Sequence, residues 1–236
     1  MTQKEPSAGC DESELRLWLD EVDKSMSFRP AAALGMSCGT VTIDLRAAKL
    51  LVIWNSRLKL YQLPKGRRNM NEGMLEAALR ETYEETGLRV QPLRLDIATR
   101  ATPPKDTRAD ATQKPPNIST GHPSHEFVGA VLYPDPQSET EALKVVYFFA
   151  ATASCTDKPD QGTQEEWEKL DAKWIPLSEV ATTLRFAAEV QTVQRTVDDI
   201  RKSGLTIGDG GSSSSSHGPL RDMNMRVVEG IGQLVQ

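Results

Sequence analysis

GRRNMNEGMLEAALRETYEETGL, residues 66–88, is the stretch on which the fold turns. Its spacing predicts a helix that begins near Glu72 or Gly73 and ends at Thr86, with Gly87 in the left-handed position that glycine takes after a helix. At about 100° per residue, Leu75, Ala78, Leu79 and Thr82 fall on one side, and Glu81, Glu84 and Glu85 gather about 130° away. The first side is expected to pack against a sheet and the acidic side to face a cleft. Arg80 and Glu84 form an opposite-charge i,i+4 pair, and a charged helical face by itself reads as solvated surface. Glu81 and Glu85 are instead an i,i+4 pair of like charge, which costs roughly a few tenths of a kcal/mol without a neutralising partner. A cation among the three carboxylates would relieve that repulsion, and carboxylate oxygens suit a hard divalent ion.

Immediately upstream, Leu63-Pro64-Lys65-Gly66 reads as a strand end turning sharply into a loop. Gly66 permits an unusual backbone angle or close packing against the helix. Glu72 falls just before or at the helix start, where a carboxylate can bind backbone amides and brace the loop. Lys65, Arg67 and Arg68 cluster here. They read either as contacts for a highly charged polyphosphate or as a solvent-facing basic turn.

Taken together, these residues resemble the Nudix box, G-x5-E-x7-R-E-U-x-E-E-x-G-U, where U is a large apolar residue. The matches are Gly66, Glu72, Arg80, Glu81, Glu84, Glu85, Gly87 and Leu88. Thr82 takes the first U position; it is smaller and more polar than usual, though its methyl group can pack. The box covers 23 of the 236 residues, and flanking strand and helix signals extend a weaker resemblance over residues 30–200. The resemblance implies an α/β (α+β) fold, a Nudix-type α/β/α sandwich with a mixed β-sheet, in which the box forms a loop–helix–loop. It also implies that Glu81, Glu84 and Glu85 bind Mg2+ or Mn2+, with Glu81 also able to take a proton. Arg80 would orient a glutamate or its neighbouring backbone, and Gly66, Glu72 and Gly87 would hold the box in shape. Many members of the family use a further glutamate from a later loop. Glu168 is the first candidate and Glu166 the next, against a solvated acidic loop as the plain alternative.

The activity implied is divalent-metal-dependent hydrolysis of a phosphoanhydride. Leu63-Pro64-Lys65-Gly66 is similar to the segment in dinucleoside polyphosphate and diphosphoinositol polyphosphate hydrolases. Arg67-Arg68-Asn69-Met70-Asn71 replaces their commoner glycine-rich continuation. A nucleoside-linked or inositol polyphosphate is therefore the expected substrate. ADP-ribose, a nucleotide sugar or a nucleoside triphosphate stand as alternatives, as do mRNA decapping and a non-catalytic binding protein on the same fold. Trp54, Tyr61 and Phe127 read either as stacking partners for a base or as core.

Outward from the box, residues 1–13 read as disordered, and Leu15, Leu17, Trp18, Leu19 and Val22 suggest an amphipathic helix ending near Lys24. A single domain is expected over 14–203. Its strands fall at Ala32–Asp44, Lys49–Trp54, Tyr61–Leu63, Leu88–Ala98, Glu126–Tyr133, Leu143–Ala153 and Trp174–Leu177. Asp44–Ala48 joins the first two as a hairpin. Residues 103–125 read as a long loop carrying His122 and His125, expected at the surface. Ser178–Ser203 reads as one long helix. Residues 204–219 are a Gly/Ser linker containing His217, and 220–236 form a short C-terminal segment.

Composition narrows the partners. With 28 basic and 33 acidic residues the net charge is −5, and no Lys/Arg block is long enough for a nucleic-acid groove. Cys10, Cys38 and Cys155 make neither a disulfide framework nor a metal-ligand pair, which points to a reducing compartment, cytoplasmic or nuclear. The first residues lack an apolar signal core, and no apolar run approaches a membrane span. The expected partner is a small-molecule polyphosphate, without membrane or nucleic acid; the sequence sets no oligomeric state.

Overall fold

The structure is a computed structural model that describes residues 11–105, 116–135, 142–165 and 169–208. In chain order its elements are α1 (Glu12–Ser25), β1 (Leu34–Asp44), β2 (Lys49–Asn55), β3 (Leu60–Gln62), β4 (Lys65–Arg67), α2 (Met74–Thr86), β5 (Gln91–Pro92), β6 (Phe127–Pro134), β7 (Leu143–Thr152), β8 (Leu170–Pro176), α3 (Val180–Thr183) and α4 (Ala187–Lys202). The strands make one mixed sheet. β1 runs parallel to β7 from Leu34↔Leu143 to Ile43↔Thr152. Its other edge is shared: β4 pairs antiparallel at Ser37↔Arg67 and Gly39↔Lys65, then β2 at Ile43↔Leu50. β8 and β3 flank β2, while β6 and β5 flank β7.

Helices cover both faces, which explains why β1 is buried from Ser37 to Asp44 without polar alternation. On one face Val41, Ile43, Val52, Val146 and Phe148 pack with Val193 and Ile200 of α4. On the other, Cys38 and Phe149 meet Ala77 and Ala78 of α2, and Leu51 and Ala151 meet Leu88 and Val90. The expected sandwich of a mixed sheet between helices is the architecture observed.

Several elements depart from the sequence expectation. Only Gln91–Pro92 of Leu88–Ala98 pairs as a strand. Pro92 cannot donate to a ladder, and the chain continues irregularly while Leu93, Leu95 and Ile97 still enter the core. Residues expected as one helix over 178–203 are split. Leu184 is extended and bridges Tyr61, and the Arg185 N–H donates to the Tyr61 carbonyl at 3.3 Å. The edge of β3 thus draws these residues out of the helix. β8 starts at Leu170, four residues before the expected strand. β4, read from sequence as loop, is a strand on the β1 edge. Part of the expected 103–125 loop, residues 106–115, lies outside the described residues. Beyond it the chain bridges back at Thr99↔Ser119 and Leu95↔Ser124. The expected N-terminal helix forms, capped by Asp11, but it buries no residue. Among the described residues no helix is long and apolar enough to cross a membrane.

Candidate functional site

α2 begins at a loop tied down from inside. The Asn69 N–H donates to Glu72 Oε2 at 2.9 Å, and Arg68 Nη1 donates to the Glu72 carbonyl at 2.6 Å. Arg80, one side of the helix later, closes the arrangement. Its Nε and Nη2 donate to the two Glu72 oxygens at 2.7 and 2.9 Å, a bidentate pair. Nη1 donates to Glu81 Oε1 at 2.8 Å and Glu84 Oε2 at 2.7 Å, and Nη2 also reaches the Arg67 carbonyl at 3.0 Å. These hydrogen bonds from Arg80 hold the Glu72 carboxyl below its ordinary range. The same contacts push the guanidinium further above its own.

The three candidate metal carboxylates have different surroundings. Glu81 lies against Gly66, where a Cβ would fall on its carboxylate. A side chain at 66 would displace that carboxylate, so the glycine here serves close approach rather than a special φ. The Glu84 side chain is 41% exposed. Glu85 is only 6% exposed, and its Oε2 accepts from the Lys65 N–H at 2.7 Å. It has turned toward the packed side instead of sharing an open acidic face. Arg80 bridges Glu81 and Glu84, while Glu85, the like-charged i,i+4 neighbour of Glu81, accepts the Lys65 N–H instead.

Among the described residues no three His, Cys, Asp or Glu side chains form a ready metal cage. The chemistry of the donors still fits a hard cation: α2 carries the carboxylates of Glu81, which lies beside Gly66, of Glu84, which opens to solvent, and of Glu85. The helix ends as expected, with Gly87 at φ 72° and its N–H donating to the Tyr83 carbonyl. Beyond it, Thr163 Oγ1 donates to the Glu84 carbonyl at 2.9 Å and Gln164 Nε2 to that of Glu85 at 3.2 Å. Glu166 and Glu168, the candidates for a further glutamate, lie outside the described residues.

The basic turn divides. Lys65 and Arg67 belong to β4, with Arg67 exposed, whereas Arg68 is engaged with the loop carbonyl. Thr82 packs through more than its methyl. Its hydroxyl donates to the Ala78 carbonyl at 2.7 Å and lies 2.8 Å from Thr40 Oγ1, itself 2.7 Å from Thr42 Oγ1. His122 and His125 are exposed, and His217 lies outside the described residues. Trp54 packs on Tyr61 with ring centroids 4.8 Å apart, and Phe127 meets Tyr147 edge-on at 5.1 Å.

Sequence reasoning missed Glu189. It is 3% exposed on α4, accepts from the Leu63 N–H at 3.1 Å and lies 4.0 Å from Lys65 Nζ. Burial pushes its carboxyl above the ordinary range. The signal was available: Glu189, Val193, Thr196 and Ile200 fall at helical spacing on one buried stripe.

The NUDIX domain family model matches residues 37–195. No curated protein matches the chain. Among solved structures, the chain is similar to a NUDIX hydrolase from Nitrosomonas europaea, with 13% identity, a TM-score of 0.45 and coverage of 76% of this chain and 97% of that one. It is also similar to an Ap4A hydrolase of C. elegans, with 17% identity, a TM-score of 0.46 and coverage of 71% and 98%. A third is the NUDIX domain of Shewanella oneidensis NrtR complexed with ADP ribose, again with 17% identity and a TM-score of 0.46, covering 75% and 97%. The chain belongs to the NUDIX domain family. At the level of that family the expectation of a Nudix hydrolase stands, and with it the use of a divalent metal ion.

Proposed function

We propose that this protein hydrolyses a P–O–P linkage in a nucleoside-linked or inositol polyphosphate, with Mg2+ or Mn2+ held by Glu81, Glu84 and Glu85. The observation that carries the reading is the Arg80 clamp. It joins Glu72, Glu81, Glu84 and the β4 backbone into one unit, so the box loop and the acidic helix are positioned together. A divalent ion at these carboxylates supplies charge stabilisation for phosphate oxygens and acidifies a bound water. Glu84 is the open carboxylate among the three that would hold the ion. Glu85 braces Lys65 through one oxygen, fixing β4 relative to the helix. Glu81, held against Gly66 and Arg80, would ligate the ion or accept a proton from water. Lys65 and Arg67 supply positive charge for the phosphates, and Arg68 acts from within the loop by holding the Glu72 carbonyl. Glu168 and Glu166 remain the proposed sources of a further base.

One domain over 14–203 and a reducing compartment, cytoplasmic or nuclear, belong to the same proposal; Cys38 and Cys155 are free thiols. The test is a hydrolysis screen with Mg2+ and with Mn2+ over dinucleoside polyphosphates, diphosphoinositol phosphates, ADP-ribose, capped RNA and nucleoside triphosphates. Metal-dependent P–O–P cleavage, fastest on a substrate with several contiguous phosphates, is expected. A large preference for ADP-ribose overturns the substrate class, and inactivity across the panel overturns the enzyme reading.

A further inference from the structure

A helix leaves the carbonyls of its last turn without partners of their own. In α2 that turn carries Glu84 and Glu85, and the connection between β7 and β8 supplies a side chain to each. Thr163 Oγ1 donates to the Glu84 carbonyl at 2.9 Å and Gln164 Nε2 to the Glu85 carbonyl at 3.2 Å. The same connection reaches the helix end at two further points. The Asp160 N–H donates to the Gly87 carbonyl at 2.9 Å, and the Tyr83 hydroxyl donates to Asp160 Oδ2 at 2.8 Å. Consecutive residues of the loop thus hold consecutive residues of the helix.

Gln164 also ties the helix to the sheet. Its amide meets both backbone groups of Leu170, the first residue of β8: Nε2 donates to the carbonyl at 2.8 Å, and Oε1 accepts the N–H at 3.3 Å. A glutamine amide carries two N–H donors and an acceptor oxygen. Both donors and the oxygen are engaged here. A glutamate would offer acceptors alone, and an asparagine is one methylene shorter.

The consequence falls on the carboxylates. Glu85 is held at both ends, its carbonyl by Gln164 and its Oε2 by the Lys65 N–H at 2.7 Å. Glu84 is held likewise, its carbonyl by Thr163 and its Oε2 by Arg80 Nη1 at 2.7 Å. Fixing the two carbonyls fixes where the two side chains leave the helix, and metal ligands depend on the groups that orient them.

We infer that Thr163 and Gln164 are positioning residues for Glu84 and Glu85, an inference that rests on the metal-dependent hydrolase reading. Through them the last turn of α2 keeps its place against β8, and the two carboxylates keep theirs toward the ion.

The test uses the full chain and two readouts. Mn2+ binding is followed by electron paramagnetic resonance. In the metal-free protein, amide hydrogen exchange is followed at Lys65, whose N–H is bonded to Glu85. Gln164→Met keeps the length without charge and removes all three hydrogen bonds. It is expected to weaken Mn2+ binding about tenfold and to speed Lys65 exchange to a similar degree. Thr163→Val is expected to weaken Mn2+ binding about threefold, whereas Thr163→Ser, which keeps the hydroxyl, stays near wild type. Ser56→Ala is the structural control. It removes a 2.9 Å bond to the Lys169 carbonyl, beside the start of β8, that does not involve α2. Whatever it costs in urea stability, it should leave both readouts unchanged. Either readout unchanged in Gln164→Met overturns the inference, as does equal weakening by Ser56→Ala, or by Thr163→Ser and Thr163→Val alike. If Gln164→Met does not fold, the Thr163 pair decides. The two readings fail separately. Faster Lys65 exchange in Gln164→Met, in a protein whose wild type binds no Mn2+, keeps the positioning of Glu85 and sinks the metal reading. Mn2+ binding that is lost in Glu84→Gln/Glu85→Gln but intact in Gln164→Met does the reverse.

Discussion

Glu85 of α2 and Glu189 of α4 approach the same three residues from opposite faces of the sheet. Glu85 accepts the Lys65 N–H and Glu189 accepts the Leu63 N–H. Both are nearly buried. Pro64, which has no N–H of its own, stands between the two bonds. The segment entering β4 is therefore clamped by one carboxylate from each helix layer. The difference lies in what surrounds them. Glu85 sits beside Glu81, Glu84 and Arg80, within the box, whereas Glu189 occupies an apolar stripe with Val193 and Ile200. The same bond serves a candidate metal site in one case and core construction in the other.

Activity should separate the two most strongly. Glu84→Gln and Glu85→Gln are expected to lower kcat by about 100-fold, the scale of losing one main source of transition-state charge stabilisation. Folding should survive, since Glu84 is open and a glutamine oxygen can still accept the Lys65 N–H. Steady-state kinetics with circular dichroism of the same samples checks this; retained kcat in both variants removes Glu84 and Glu85 from the chemistry. Stability should then fall on the other carboxylate. Glu189→Ala leaves the Leu63 N–H unpaired beside a new cavity and is expected to cost about 2–3 kcal/mol in urea unfolding. Glu84→Ala, at an open position, should cost less than about 0.5 kcal/mol. Equal losses would mean that Glu189 is not a core element.

A smaller effect is expected from the hydroxyl chain under α2. Thr82→Val keeps the shape but removes the partner of Thr40, for a loss of about 1 kcal/mol. An unchanged urea midpoint would show that Thr40 re-pairs through Thr42 alone.

The pH dependence sharpens the contrast because the signs are opposite. Arg80 lowers Glu72, so that pair adds stability above the ordinary carboxyl value of 4.5, and this is lost as pH falls through the lowered folded value. Burial raises Glu189, so the native state holds its proton more tightly; that contribution is full below 4.5 and is lost as pH rises through the raised value. In the metal-free protein, Glu72→Gln should reduce the loss of stability toward acid, and Glu189→Gln should reduce the decline on the neutral side. Identical unfolding profiles for wild type and Glu189→Gln would exclude the buried-carboxyl assignment.

The same pair explains what could be read from the chain. The helix bounds, Gly87 and the relative placement of Arg80 and the glutamates follow from local spacing, because one helix turn fixes all of them. The turn of Glu85 into the core does not, since it is set by the Lys65 N–H that β4 presents only after pairing with β1. The split at Leu184–Phe186 has the same origin: the edge of β3, distant in sequence, competes with helix formation.

Electron paramagnetic resonance of Mn2+, titrated into the wild type and into the Glu84→Gln/Glu85→Gln double variant with imidodiphosphate present, tests the carboxylate helix most directly. The wild type should bind the ion tightly, and the double variant should leave it free in solution. Equal binding by both proteins would contradict the assignment of Glu84 and Glu85 as metal ligands.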